Sequence, residues 1–568
     1  MNDTVAQRIA LALKRHGVTT IFGQSLPSAV ILAAEALGIR QVSYRQENAG
    51  GTMADGFARI SGTIAVVTAQ NGPAATLLVP PLAEALKASI PVVALVQEVE
   101  RPQAERNAFQ ELDHPALFQA CAKWVRRIVT GDRIDDHVDA AFVAAGSGRP
   151  GPAVLLLPAD LLREIAPVAA APRRASLGHW PTDLIQPAAG AIRDAAAMIA
   201  ESRFPVVIAG GGVHAAGGFH ALARLQEAAH LPVFTTLMGK GTVDEHHPLS
   251  CGVLGPLVGP RSLGRHSRAL LAEADLVLLA GTRTNQNGTD SWRLIPPGAR
   301  VLHIDVDPNE IGRNYEAVRL VGSAGPTLAA LCDALGTLDL RHRAATRPAV
   351  EARIAGLWQR FEADRRDVTA RRPGPLRPER VMAELQYRLT PDTIVAADAS
   401  YSSFWVAGQL RSLGAGMRFL TPRGLAGLGW GLPLAMGAKL ARPAAPVVAV
   451  VGDGGFAHSW AELETLARSG IALTVIVLNN GILGFQKDAE TVKFGAYTTA
   501  CHFAPVDHAQ IARACGCAAA RVEDGAALPG ALELALRSDR PWLLDVMTDP
   551  AAHPPLSLFD GTLDRAVD

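Results

Sequence analysis

Short, wholly apolar runs alternate along the chain with stretches of helical periodicity. The sharpest instance is Pro446–Asn480, PVVAVVGDGGFAHSWAELETLARSGIALTVIVLNN. Its apolar run Val447–Val451 is long enough for a strand buried on both faces and too short for a helix. The run stops at Gly452-Asp453-Gly454-Gly455, where glycines allow a tight turn and close approach of backbone to a ligand. Ser459 precedes Glu462 by three residues, a spacing that predicts a capping box and a helix start. A second run, Leu473–Leu478, ends in Asn479-Asn480. Two parallel strands joined by a helix would bring Asp453 and Asn480 to one carboxyl edge, where open α/β sheets take ligands.

The same alternation runs in both directions. Val5, Ile9 and Leu13 mark one face of an opening helix that Gly17 ends. Strands are predicted at Thr19–Phe22, Gln41–Tyr44, Thr63–Thr68, Pro91–Val96 and Ala153–Leu157. Others fall at Pro205–Ala209, Pro232–Thr236, Leu276–Ala280, Val301–Asp305 and Ile394–Asp398, with a helix at Ala349–Arg366. Strand–helix repetition of this kind predicts an α/β fold with parallel sheets covered by helices. At 568 residues the chain is too long for one core. Ala- and Pro-rich Ala166–Gln186 and charged Leu340–Pro348 read as connections. They divide it into doubly wound domains at 1–165, 187–336 and 370–550. The Pro-containing tail from Asp549 reads as a disordered end.

Charge and cysteine content exclude several classes. Lys plus Arg equals Asp plus Glu at 54 each, so no basic field draws nucleic acid. Six scattered cysteines form no metal-ligand frame, and Cys515-x-Cys517 reads as core. No apolar run reaches membrane-spanning length, and the start has no signal-peptide pattern. A cytoplasmic protein without membrane or nucleic-acid partners is the expectation.

One carboxylate and one amide oxygen, at Asp453 and Asn480, make a hard oxygen-only site. Mg2+ accepts such a site when a phosphate supplies further ligands, and free amides of the glycine turn can cradle that phosphate. The same stretch also fits a glycine turn in a parallel sheet with no metal at all.

GDG, a helix and then NN resembles the thiamine-diphosphate motif of the decarboxylase and acetohydroxyacid (acetolactate) synthase superfamily. The resemblance implies three domains: pyrimidine-binding, central and diphosphate-binding. It implies Mg2+ held by Asp453, Asn480 and the carbonyl of Ile482, with Gly452, Gly454, Gly455 and Leu483 around the cofactor. RQENAGGTMADGFAR is similar to the family stretch whose glutamate, here Glu47, hydrogen-bonds N1′ of the aminopyrimidine and so promotes loss of the thiazolium C2 proton. Burial would keep that carboxyl's proton shareable. Gln46 stands where many relatives have His.

Gln70-Asn71-Gly72-Pro73-Ala74 resembles the SGPG loop, and Phe109-Gln110-Glu111 the FQE of the substrate pocket. Glu47, Gln70, Asn71 and Gln110 are thereby the catalytic candidates, with Gly72 at the cofactor. On residue pattern alone Phe109 reads as core. Ser400–Trp405 occupies the place of GQHQ-x-W, which puts Ser402 and Ser403 at the cofactor. Leu428 replaces the Met that wedges the cofactor into its bent form. In the central domain Gly210-Gly211-Gly212, TTLMGKG and HIDVDP are similar to the part that holds FAD in acetohydroxyacid synthases and an adenine nucleotide in a few relatives. Arg283 matches an arginine near that flavin, while Thr284–Asn287 departs from FDDR. FAD is thus an open alternative, and NAD is disfavoured because GxGxxG spacing is missing.

The implied reaction is carbon–carbon cleavage or ligation on a 2-oxoacid or acyl donor, as in acetolactate synthase, with a 2-oxoacid decarboxylase or 2-hydroxyacyl-CoA lyase as the alternative. The chain lacks the tryptophan those synthases carry after NN, and has Gly23–Ser28 (GQSLPS) where relatives have GYPGG. A silent nucleotide-binding homologue is the reading from another class. In the family the site lies between subunits, which implies a homodimer or homotetramer with Glu47 and Asp453 on different chains.

Overall fold

The computed structural model describes residues 3–167, 173–370, 375–559 and 563. Part of the first expected connection, at 168–172, and part of the 370–550 domain, at 371–374, lie outside the described residues, as does the tail from 560 except Leu563.

Among the described residues three six-stranded sheets follow one another, each wholly parallel. The first holds β1 (Thr20–Phe22), β2 (Arg40–Val42), β3 (Ala65–Ala69), β4 (Val92–Glu98), β5 (Trp124–Arg127) and β6 (Ala153–Pro158), in the order β2-β1-β3-β4-β6-β5. The second holds β7 (Pro205–Ala209), β8 (Val233–Thr235), β9 (Ser250–Val253), β10 (Leu276–Ala280), β11 (Arg300–Asp305) and β12 (Val318–Val321), in the order β12-β11-β10-β7-β8-β9. The third holds β13 (Ile394–Ala397), β14 (Arg418–Leu420), β15 (Val447–Gly452), β16 (Thr474–Asn479), β17 (Ala518–Val522) and β18 (Trp542–Met547), in the order β14-β13-β15-β16-β18-β17. The first and third sheets share one winding order. In the third, the order reverses between β13 and β15, which opens a crevice at their carboxyl ends.

Strand interiors are apolar on both faces because helices cover both. Val66, Val93, Leu155, Val448, Val475 and Leu543 are all inaccessible or nearly so. One continuous apolar cluster joins the first sheet to the third, whereas the central sheet keeps separate clusters on its two faces. The bridge between first and third domains is the helix Glu47–Ser61 laid along the helix Gly431–Ala441. Glycines set their separation: a Cβ on Gly437 would stand 1.9 Å from the Met53 carbonyl oxygen, and one on Gly56 2.2 Å from that of Leu434.

Three local expectations are corrected. Ser459 makes no capping box; its hydroxyl donates to the Phe456 carbonyl, and the helix Glu462–Ser469 has no side-chain cap. The helix expected at 349–366 begins at Arg341 and runs to Asp364 with Pro348 inside it, so Leu340–Pro348 is no linker. The tail is packed rather than loose through Phe559, which is buried. Gly259 N donates to the Pro555 carbonyl and Ser557 N to that of Pro256. No described helix is long and apolar enough to cross a membrane.

Candidate active site

The carboxyl end of β15 turns at once into the short helix Asp453–Phe456. Asp453 is 7% exposed and its Oδ2 accepts from Gly481 N at 2.9 Å, which ties the turn to the end of β16. Burial raises its carboxyl to about 6, against the pull of the Gly481, Gly454 and Asn480 amides. Asn480 follows β16 directly, its Oδ1 accepting from Ile482 N at 3.2 Å. The Ile482 carbonyl accepts from Gly484 N at 2.9 Å. Glycine is required at 455, where a Cβ would meet the Asp398 carboxylate at 2.1 Å.

One cavity gathers most of the third-domain candidates. Ser402, Leu428, Gly452, Asp453, Gly454, Gly455, Asn480, Ile482 and Leu483 all line it. Ser403 does not: it is buried, its hydroxyl donates to the Ser400 carbonyl and receives a bond from Arg423. Sequence reasoning missed Asp398, at the end of β13. This fully buried carboxylate accepts N–H bonds from Ala399, Gly429, Trp430 and Gly431 at 2.9–3.2 Å, and so holds the loop that presents Leu428. An acid at a switch-point strand end was the available signal. Tyr401 was missed too; it lines the cavity and donates to Asp488 Oδ2 at 2.5 Å.

The first-domain candidates form a second group. Gln70 Nε2 donates to Gln110 Oε1 at 2.5 Å, and Asn71 Nδ2 to the Gln110 carbonyl at 3.0 Å. Gly72 adopts φ +65°, and its N–H donates to His114 Nε2 at 3.0 Å. His114 is held by Glu98, whose carboxyl burial would raise but whose bonds to His114 and Arg127 keep low. No sequence cue marked that relay. Phe109 is 85% exposed, so its reading as core is wrong.

Glu47 opens its helix at 8% exposure. Its neighbours are clamped by the third domain of the same chain: the Glu462 carboxylate accepts from Arg45 N and Gln46 N, and the Trp430 indole donates to Asn48 Oδ1. Neither Glu47 nor Gln70, Asn71, Gly72 or Gln110 lines the cavity of Asp453.

A second cavity opens at the carboxyl ends of β7 and β10 and extends to the first and third domains. Gly210 and Gly212 press on Gly281, where a Cβ would fall within 3 Å of backbone, leaving a groove of bare peptide. Five arginines line this cavity: Arg59, Arg149, Arg283, Arg418 and Arg423. Arg59 pairs with Asp55 and Arg149 with Asp307 and Glu310. Burial lowers Arg283, Arg418 and Arg423, the latter two to about 10.

Burial also raises the Asp305 carboxyl in this cavity to about 6. The folded chain therefore keeps a proton that the unfolded chain releases near about 3.9. Stability from this group is fullest below that value and declines by up to about 3 kcal/mol as pH rises through about 6. Asp305→Asn is expected to flatten that decline, read by urea unfolding across the range.

Comparison with known proteins finds the description "Thiamine pyrophosphate enzyme, N-terminal TPP binding domain" matching residues 3–117. The corresponding central domain matches 192–331 and the C-terminal TPP binding domain 398–546. A probable acetolactate synthase large subunit of Methanocaldococcus jannaschii is 33% identical over 99% of this chain and 95% of its own length. The acetolactate synthase large subunit of Parasynechococcus marenigrum is 33% identical over 96% of this chain and 88% of its own. That of Mycobacterium tuberculosis is 32% identical, covering 92% and 84%.

Proposed function

Because the chain belongs to the thiamine pyrophosphate enzymes, with acetolactate synthase large subunits as relatives, we propose that it makes or breaks a carbon–carbon bond of a 2-oxoacid. The observation that carries this reading is the single cavity that unites Asp453, Asn480 and Ile482 at neighbouring strand ends with Leu428. When bound, thiamine diphosphate supplies a carbon nucleophile for the substrate carbonyl and takes up the electrons freed when the adjacent bond breaks.

The donor set fits Mg2+. Among the described residues no cluster of three or more His, Cys, Asp or Glu forms an all-protein cage. What Asp453, Asn480 and the Ile482 carbonyl provide is a partial set of hard oxygens, which suits a cation that shares a diphosphate. The raised Asp453 carboxyl also favours a cationic partner, since positive charge beside it stabilises the ionised form. Leu428, on the wall of the cavity, would supply apolar contact area that orients the bound cofactor. Glu47, in its poorly solvated position, would share a proton with N1′ of the pyrimidine.

Glu47 and Asp453 would meet across a subunit boundary, so the least active unit is a homodimer, with a homotetramer as a further stage. The separation of the two groups within one chain supports this. For the central cavity we propose a phosphate-bearing nucleotide, FAD or an adenine nucleotide. Unpaired arginines suit phosphates, and the bare peptide groove allows close approach. Visible flavin absorbance in the purified protein decides between them. The domain limits we adopt are 1–165, 187–336 and 370–550, and six unpaired cysteines fit a reducing cytoplasm.

The test is a panel of 2-oxoacids and 2-hydroxyacyl thioesters assayed with added thiamine diphosphate and Mg2+, with products identified by mass. A ligated 2-hydroxy-2-methyl-3-oxoacid marks the synthase reaction; an aldehyde marks a decarboxylase. No cofactor-dependent product from any member would overturn the reading.

A further inference from the structure

Arg423 sits where the two cavities meet. It and Asn287 are the residues that line both the cavity of Asp453 and Asn480 and the central one. Its guanidinium is held in place rather than free to swing. One Nη donates to Ser403, and the group stacks over the Phe404 ring at 4.3 Å from its centre. Nε is enclosed and has no hydrogen-bond partner. The accessible area that Arg423 keeps faces the cavities, while burial strips the guanidinium of water.

Among the described residues no carboxylate forms an ion pair with this guanidinium, although the charges of Glu84 and Asp398 act on it. Those two acids are engaged with backbone. Glu84 accepts from Gly424 N at 2.7 Å, Leu425 N at 2.5 Å and Ala426 N at 3.3 Å, with Arg59 at 3.9 Å. Asp398 accepts from Gly429, Trp430 and Gly431. A desolvated guanidinium with an orphaned N–H is costly unless an anion completes it. The wall it occupies opens onto reacting space, so the anion comes from what enters that space.

We propose that Arg423 is a specificity-determining residue whose guanidinium receives the carboxylate of the 2-oxoacid substrate. This rests on the 2-oxoacid reading above. Phosphate of a nucleotide in the central cavity offers the same chemistry, an anionic oxygen facing a fixed guanidinium, and the experiment separates the two. Planar N–H donors and fixed orientation distinguish this position from a lysine, whose point charge selects carboxylates less sharply.

The experiment uses the full chain with thiamine diphosphate and Mg2+ and measures binding by calorimetry. Oxamate serves as an unreactive 2-oxoacid probe, its neutral analogue oxamide as the uncharged control, and ADP as the phosphate probe. Arg423→Gln is expected to weaken oxamate about ten- to a hundredfold and to leave ADP and oxamide unchanged. Arg423→Lys, which keeps the buried charge and so guards against simple misfolding, is expected to recover part of the loss. In turnover, the same variants are expected to raise KM for the oxoacid more than they lower kcat. Undiminished oxamate binding in Arg423→Gln overturns the proposal. So does a loss confined to ADP, or failure of the unaltered protein to distinguish oxamate from oxamide. Failure of the unaltered protein to bind thiamine diphosphate would sink the functional reading itself, a separate result.

Discussion

Asp453→Ala is expected to weaken Mg2+-dependent binding of thiamine diphosphate by a factor on the order of 10² or more. Outer-shell partners of a metal already cost about 10- to 100-fold when removed, and Asp453 would be a direct ligand. It is also the only side-chain charge among the three donors proposed, since Asn480 and the Ile482 carbonyl are neutral. The loss of its bond to Gly481 N would loosen the turn as well, but that alone does not make binding independent of metal. Tryptophan fluorescence titrated with cofactor, with and without Mg2+, reads the effect. Binding by the variant that stays tight and metal-dependent would remove Asp453 from the site.

Glu47→Gln is expected to behave in the opposite way. Binding of the cofactor should be largely kept, because the amide preserves shape and the diphosphate is held elsewhere. Turnover should fall about 10²- to 10⁴-fold, the usual worth of a positioned proton-transfer group. The helix start should survive, since Glu462 and Trp430 hold its neighbours Arg45, Gln46 and Asn48 rather than depending on the Glu47 carboxylate. A variant with normal turnover would take Glu47 out of the mechanism. A variant that loses cofactor binding would make its role structural.

Much of this architecture could be read from apolar runs, and the failures share a cause. Runs such as Val447–Val451 and Leu276–Ala280 announce strands because both faces are covered. Of the six edge strands only β2 was anticipated; β5, β9, β12, β14 and β17 were not. An edge strand has less cover and carries a mixed sequence, as WVRR in β5, VRLV in β12 and AAARV in β17 show. Interior β18 was hidden by Asp545 within WLLDVM, a fully buried acid that takes its bonds from Asn479 and the His508 amide.

The site was legible where its chemistry is local. Asp453 and Asn480 each end a strand, so spacing places them together. Glu462 shows the opposite case: its local spacing with Ser459 suggested a cap, but its carboxylate reaches Arg45 and Gln46 across the fold. Tertiary contact overrode a local rule. Arg423 looked like an ordinary loop cation. Only the enclosure of its Nε and the prior engagement of Glu84 and Asp398 single it out.

Two lobes wound in the same order read as copies of one unit that, on the function proposed above, would divide labour, one presenting an acid and the other the ligands of a cation. On that function, neither copy would perform the chemistry by itself. Inheritance therefore acts on the seam between them, where a change in one lobe stays silent until it meets its sibling.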